Sequence, residues 1–136
     1  MDAINRIVSE FNRLVALGRA GIALEPPARR VVYYVVATRC SIDIDGSASV
    51  FEQDLDPLEL EVLINGLRQI GESDLAGEFQ RGFQLLKDDG FYSHMTWLNV
   101  SRRVKDEIDA IGKRVGDRMW DLDGKLTALL DGNAVD

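Results

Sequence analysis

From Asp2 to Leu17 the apolar residues Ile4, Ile7, Val8, Phe11, Leu14 and Val15 recur at steps of three and four. Such side chains share one face of a helix, so the spacing predicts an amphipathic helix, ended by Gly18 and Gly21. Glu25-Pro26-Pro27 reads as a connector, because proline suits a chain break or the first turn of a new helix and disfavours helix before it. The run RRVVYYVVATRC (29–40) is ambiguous: valine and tyrosine favour strand, while the length also suits a buried helix. No alternating partner strand exists elsewhere in the chain, and a lone strand leaves its backbone groups unpaired. The run is therefore read as a buried helix.

Asp56-Pro57-Leu58-Glu59 carries a helix start, with aspartate at the N-cap, proline at the first helical position and glutamate closing a capping box. Leu60, Leu63, Ile64, Leu67 and Ile70 form the stripe that follows, and Gly71 supplies the stop. Ser73 is positioned to cap a further helix that buries Leu75, Ala76, Phe79, Phe83 and Leu86 and ends at Asp88-Asp89-Gly90. A connection this short makes the two helices antiparallel, an αα-hairpin. Beyond Trp97 the series Val100, Val104, Ile108, Ile111, Val115, Met119, Leu122, Leu126 and Leu129 predicts helix nearly to the C-terminus. Gly112, Gly116 and Gly124 each weaken a helix interior by ~1 kcal/mol, so this region is one bent helix or two. The pattern predicts an all-α fold: a single-domain bundle over 1–136 of about five to seven helices, with a central αα-hairpin and a long C-terminal helical region.

Composition is consistent with that picture. A chain of 136 residues can bury a core without disulfides or metal, and 46% hydrophobic with 29% charged residues is ordinary for a soluble domain. No long uncharged apolar run and no leader pattern is present, so the expected location is cytoplasmic. The lone Cys40 excludes an intrachain disulfide and reads as a packed, unreactive thiol.

Charge changes the picture more. The net charge of −7 is unevenly placed: residues 1–39 carry three more bases than acids, residues 40–89 nine more acids than bases, and residues 90–136 one more acid than bases. Between Arg39 and Arg68 there are seven acids and no base. Phosphate repulsion disfavours direct nucleic-acid binding by this stretch, whereas a basic partner would be attracted.

The acidic stretch opens with SIDIDGSASVFE (41–52), where Asp43, Asp45, Gly46 and Glu52 occupy the third, fifth, sixth and twelfth places of a calcium loop. Ser41 replaces the first carboxylate, Ala48 stands where a branched apolar residue pairs with a second hand, and helix restarts only near Pro57. Asp121-Leu122-Asp123-Gly124 repeats the signature inside the C-terminal stripe, with Leu130 in place of the glutamate. The segment is therefore read as a polar turn with Asp45-Gly46 in a tight bend.

Other chemistry is sparse. The single histidine, His94, sits in FYSHMTWL and reads as structural, and one histidine with one distant cysteine gives no zinc signature. Carboxylate pairs such as Glu59/Glu61 or Asp117/Asp121 read as solvated helix acids. No phosphate-cradling loop occurs. Arg102, Arg103, Lys105, Lys113, Arg114 and Arg118 alternate with Asp106, Glu107, Asp109 and Asp117, the pattern of a salt-bridged solvent face. Tyr33, Tyr34, Trp97 and Trp120 read as core or interface aromatics. No catalytic residue, metal ligand or cofactor is expected, and the chain reads as non-enzymatic.

Residues 42–86 and the apolar helix before them resemble a bacterial family of small helical domains that includes an acidic DNA-mimic protein. The corresponding pieces are Asp43-Ile44-Asp45-Gly46-Ser47, Leu67-Arg68-Gln69-Ile70-Gly71 and Leu75-Ala76-Gly77-Glu78-Phe79. Ser47 and Ala48 stand where the family has a glycine and a phenylalanine. The resemblance implies an all-helical domain, working as a homodimer, whose acidic surface imitates DNA and occupies a DNA-binding protein.

The expected function is thus an acidic protein-interaction domain that binds a basic protein, such as a DNA-binding protein, without contacting nucleic acid or membrane. The candidate surface comprises Asp43, Asp45, Glu52, Asp54, Asp56, Glu59 and Glu61, with Glu72, Asp74 and Glu78. An immunity or antitoxin-type inhibitor of a nuclease is the rival reading. In a third, these acids only cap helices and keep the chain soluble.

Overall fold

The computed structural model describes residues 2–93 and 96–132. Within them the chain is all-helical: α1 (Ala3–Val15), α2 (Gly18–Ala23), α3 (Pro27–Asp45), α4 (Ser47–Ser49), a π-helical turn (Val50–Asp54), α5 (Pro57–Gln69), α6 (Ser73–Asp88), a 3-10 turn (Trp97–Asn99), α7 (Arg102–Met119) and α8 (Asp123–Leu130). No strand occurs among the described residues.

The ambiguous run at 29–40 is helix, and its composition reflects its position at the centre of the bundle. α3 packs against α1, α5, α7 and α8, and buries Val31, Val32, Tyr34, Val35, Val36, Thr38 and Arg39. A helix surrounded on several sides has no solvent stripe to fill with charge, so strand-favouring residues are accepted where packing outweighs propensity. Pro27 occupies its first turn, and Cys40 is partly buried against the core.

The αα-hairpin forms as the spacing predicts. Asp56 accepts the Glu59 N–H at 2.8 Å while the Glu59 carboxylate accepts the Asp56 N–H at 3.0 Å, closing the capping box. The stop is Gly71, at φ 80°, where a side chain would be strained; the Glu72 N–H returns to the Leu67 carbonyl at 2.8 Å. The cap of α6 differs from expectation. Ser73 is the first helical residue, and the cap position falls on Glu72, whose side chain makes no capping bond.

Two further boundaries are corrected, and of the two arrangements expected for the C-terminal region the two-helix one is found. Gly18, at φ 72°, ends α1, but Gly21 lies inside the short α2. The stripe from Trp97 is not one helix. A 3-10 turn precedes α7, which is capped by Ser101, whose hydroxyl accepts the Val104 N–H and whose own N–H donates to Asp89 at 2.8 Å. The C-terminal region is two helices, and the break falls at Trp120–Leu122 rather than at any glycine. Gly112 is instead a contact point: a Cβ there would lie 2.6 Å from the Ser47 hydroxyl.

On α1 the predicted stripe is wider than the buried face. Ile7 and Leu14 are buried and Phe11 packs partly against the core, whereas Ile4, Val8 and Val15 are exposed. His94 lies outside the described residues.

Candidate functional site

The calcium-loop segment does not run as a loop. Ser41–Asp45 is the last turn of α3, where residues two apart point to different sides, so Asp43 and Asp45 cannot converge on one ion. The tight bend is Gly46, at φ 86°, whose N–H closes on the Ile42 carbonyl at 3.1 Å before α4 turns away. The polar turn expected here is thus a helix end followed by a second helical segment. Among the described residues no group of three or more His, Cys or acidic side chains lies together to hold a metal ion.

The stretch without bases in sequence does not lack them in space. Arg19, from α2, enters it: its Nε donates to Glu59 at 2.9 Å, and its Nη2 bonds the same carboxylate and also donates to the Asp54 carbonyl at 3.2 Å. The Tyr34 hydroxyl donates to Glu59 at 3.2 Å. Burial raises the Glu59 carboxyl, but the Arg19 and backbone hydrogen bonds outweigh it and leave the group below its ordinary value. Burial and the adjacent Glu59 charge push the Tyr34 phenol up to about 12.

On the hairpin's second helix the cations come from the C-terminal region. Glu72 pairs with Lys125 at 2.7 Å and lies 3.6 Å from Arg118; Glu78 pairs with Arg114 at 2.7 Å. The alternation of charge along α7 is therefore only in part a ladder within one helix. Arg102 and Asp106 pair along it at 3.2 Å, but Arg114 and Arg118 reach across to α6.

The ten candidate acids fall into three groups. Glu59, Glu72 and Glu78 are half-buried and ion-paired within the fold. Asp54 and Asp56 are exposed but engaged locally: Asp54 accepts from the Ser41 and Ser49 hydroxyls at 2.5 and 3.0 Å, and Asp56 caps α5. Asp43, Asp45, Glu52, Glu61 and Asp74 are exposed and, among the described residues, form no ion pair. Asp43 and Asp45 end α3, and Glu52 lies in the π-helical turn that follows α4.

One polar constellation was absent from the sequence reading. Arg39, 2% exposed, pairs with Asp123 at 2.9 Å, donates to the Met119 carbonyl at 3.2 Å and stacks over Trp120 with its guanidinium carbon 4.5 Å from the ring centroid. The available signal was that Arg39 is the one charge within the apolar run 31–40, a place where charge survives only when paired. Arg19 left no such signal, since its partner is chosen by helix packing.

No helix among the described residues is long and apolar enough to cross a membrane. No protein-family model, curated protein or solved structure matches the chain.

Proposed function

We propose that this protein is a non-enzymatic interaction domain that binds a basic protein, such as a DNA-binding protein, through the carboxylates at the end of α3 and the π-helical turn. The observation that carries the reading is the division among the acids. Among the described residues Asp43, Asp45 and Glu52 are exposed without an ion-pairing cation, while the half-buried Glu59 is neutralised from within. A cationic partner would meet uncompensated charge there and need not break an internal pair.

The reading in which acids only cap and solubilise is favoured for four of the ten candidates. Asp56 and Glu59 close the capping box, and Glu72 and Glu78 tie the hairpin to α7 and α8. The proposed surface is therefore smaller than the acidic stretch: Asp43, Asp45 and Glu52, with Asp54 and Glu61 further along the same base-free run, whereas the exposed Asp74 lies beyond Arg68 in the first turn of α6.

The test is affinity capture from native lysate at low and high salt, comparing the wild type with Asp43→Asn/Asp45→Asn/Glu52→Gln. The expected result is a DNA-binding protein held by the wild type, released by salt and by duplex DNA, and missing from the triple variant. Equal capture by both proteins would overturn the proposal.

A further inference from the structure

We infer that the outward face of α1 is a self-association surface, on which a second copy of this chain docks its own α1 antiparallel to form a weak homodimer. Ile4, Val8 and Val15 are 63, 47 and 51% exposed on that face, and the half-buried Phe11 lies between them in register. Singly exposed apolar residues are ordinary. Among the described residues, however, no other helix leaves more than one large apolar side chain exposed.

The spacing is self-complementary. Steps of four, three and four from Ile4 through Val8 and Phe11 to Val15 are those of a coiled-coil seam. The series reads the same from either end, so a two-fold axis across its middle sets Ile4 against Val15, and Val8 against Phe11, of the second copy. An antiparallel arrangement also places each helix N-terminus beside the other's C-terminus, where the partial charges attract. Phe11 is fixed in the seam by stacking on Tyr33, with ring centroids 5.4 Å apart.

Charge favours a second copy over other occupants. The chain carries −7, so two copies repel except where charge is absent. The outward face of α1 is such a place, since Asn5, Asn12 and Ala16 beside the apolar residues are exposed and uncharged. The charges of α1 lie on another side of the helix and are paired within the chain: Arg6 with Asp131 at 2.7 Å, and Arg13 with Glu10 and Glu25 at 2.9 and 2.5 Å. A charged partner has nothing to pair with there, whereas an asparagine amide both donates and accepts and can match a copy of itself. A membrane surface is disfavoured because an interfacial helix uses free Lys or Arg on its polar face, and Arg6 and Arg13 are engaged.

The area sets the strength. α1 has 13 residues, and a helix pair of that length buries on the order of 400 Å² per copy, roughly half of a standard stable interface. The dimer is therefore reversible. Its surface shares no residue with Asp43, Asp45 and Glu52, so the partner proposal stands or falls separately.

Sedimentation velocity over a range of protein concentrations tests the inference. The weight-average mass should rise from that of one chain toward twice that value, with a Kd on the order of 10–100 μM. Val8→Asp sets a carboxylate into the apolar seam and should weaken association at least about tenfold. The position is exposed, so the unfolding midpoint should stay nearly unchanged. Disulfide trapping in a Cys40→Ser background reads the orientation: Ile4→Cys mixed with Val15→Cys should give the linked heterodimer, and either variant alone little. A chain that stays monomeric at every concentration, whether or not phosphatidylcholine vesicles retain it, would overturn the inference. So would a dimer that Val8→Asp leaves intact, or cross-linking of Ile4→Cys alone that equals the mixture.

Discussion

Arg39 on α3 and Asp123 at the start of α8 form an ion pair at 2.9 Å, with the Arg39 side chain 2% exposed and Trp120 stacked on it. The same guanidinium donates to the carbonyl of Met119, the last residue of α7. One side chain therefore holds both helices where they meet. A helix C-terminus presents unpaired carbonyls and partial negative charge, so a buried cation is stabilised there as well as by Asp123.

Removing one member should leave the other buried and unpaired. Arg39→Ala is expected to destabilise the fold by about 3–5 kcal/mol, and Arg39→Met with Asp123→Leu together by much less than either single change. Urea unfolding of the wild type, Arg39→Ala, the two single variants Arg39→Met and Asp123→Leu, and their double checks both statements. Additive losses in the double variant would show that the pair is not energetically coupled.

Close approach makes Gly112 differ from Gly77. At Gly112 a Cβ would meet the Ser47 hydroxyl at 2.6 Å and its backbone nitrogen at 3.4 Å, and Ser47 is held by a 2.5 Å bond to the Ile108 carbonyl. Gly112→Ala should therefore destabilise by about 1–3 kcal/mol despite better helix propensity. Gly77, with open space around it, should gain about 0.5–1 kcal/mol on replacement by alanine. Thermal unfolding of both variants reads the opposite signs.

Acid should weaken the α2–α5 junction through Glu59. Its folded pKa is depressed, so its contribution is complete above the ordinary value of 4.5 and is lost as pH falls through the lower folded value. Glu59→Gln keeps an acceptor for the capping box but removes the charge that Arg19 pairs with. The variant should show a shallower loss of stability on acidification than the wild type, measured by denaturant titration at several pH values. Asp56→Ala removes the cap itself and should cost about 0.5–2 kcal/mol at neutral pH.

The two groups of acids should separate in experiment. Glu72→Gln, which breaks the contact with Lys125, is expected to lower stability by at most about 1 kcal/mol without changing partner capture. Asp43→Asn/Asp45→Asn/Glu52→Gln should do the reverse, leaving the unfolding midpoint nearly unchanged. Chemical denaturation and salt-dependent capture on the wild type and these two variants provide the comparison.

Particular elements show how far local information reaches. Asp56, Pro57 and Glu59 specify where α5 begins because each cap interaction spans only three residues, and Gly71 specifies the stop because its positive φ is a property of one residue. The period of three and four identifies α1, α6 and α7 for the same reason. It did not determine which part of a wide apolar stripe is covered, and on α1 Ile4, Val8 and Val15 stay in solvent because the neighbouring helices reach only Ile7, Phe11 and Leu14.

The sequence by itself determined the long helices, the cap of α5 and the acidity of residues 40–89, since propensity, periodicity and net charge are local or additive quantities. Tertiary structure alone decided which acids remain free. Arg19 meets Glu59 across forty positions, Lys125 meets Glu72 across fifty-three, and Arg39 is buried against Asp123. Each pairing follows from how helices pack around α3, so the charge run that contains no base along the chain receives Arg19 in space. What is left at Asp43, Asp45 and Glu52 is the exposed remainder after those pairings have formed.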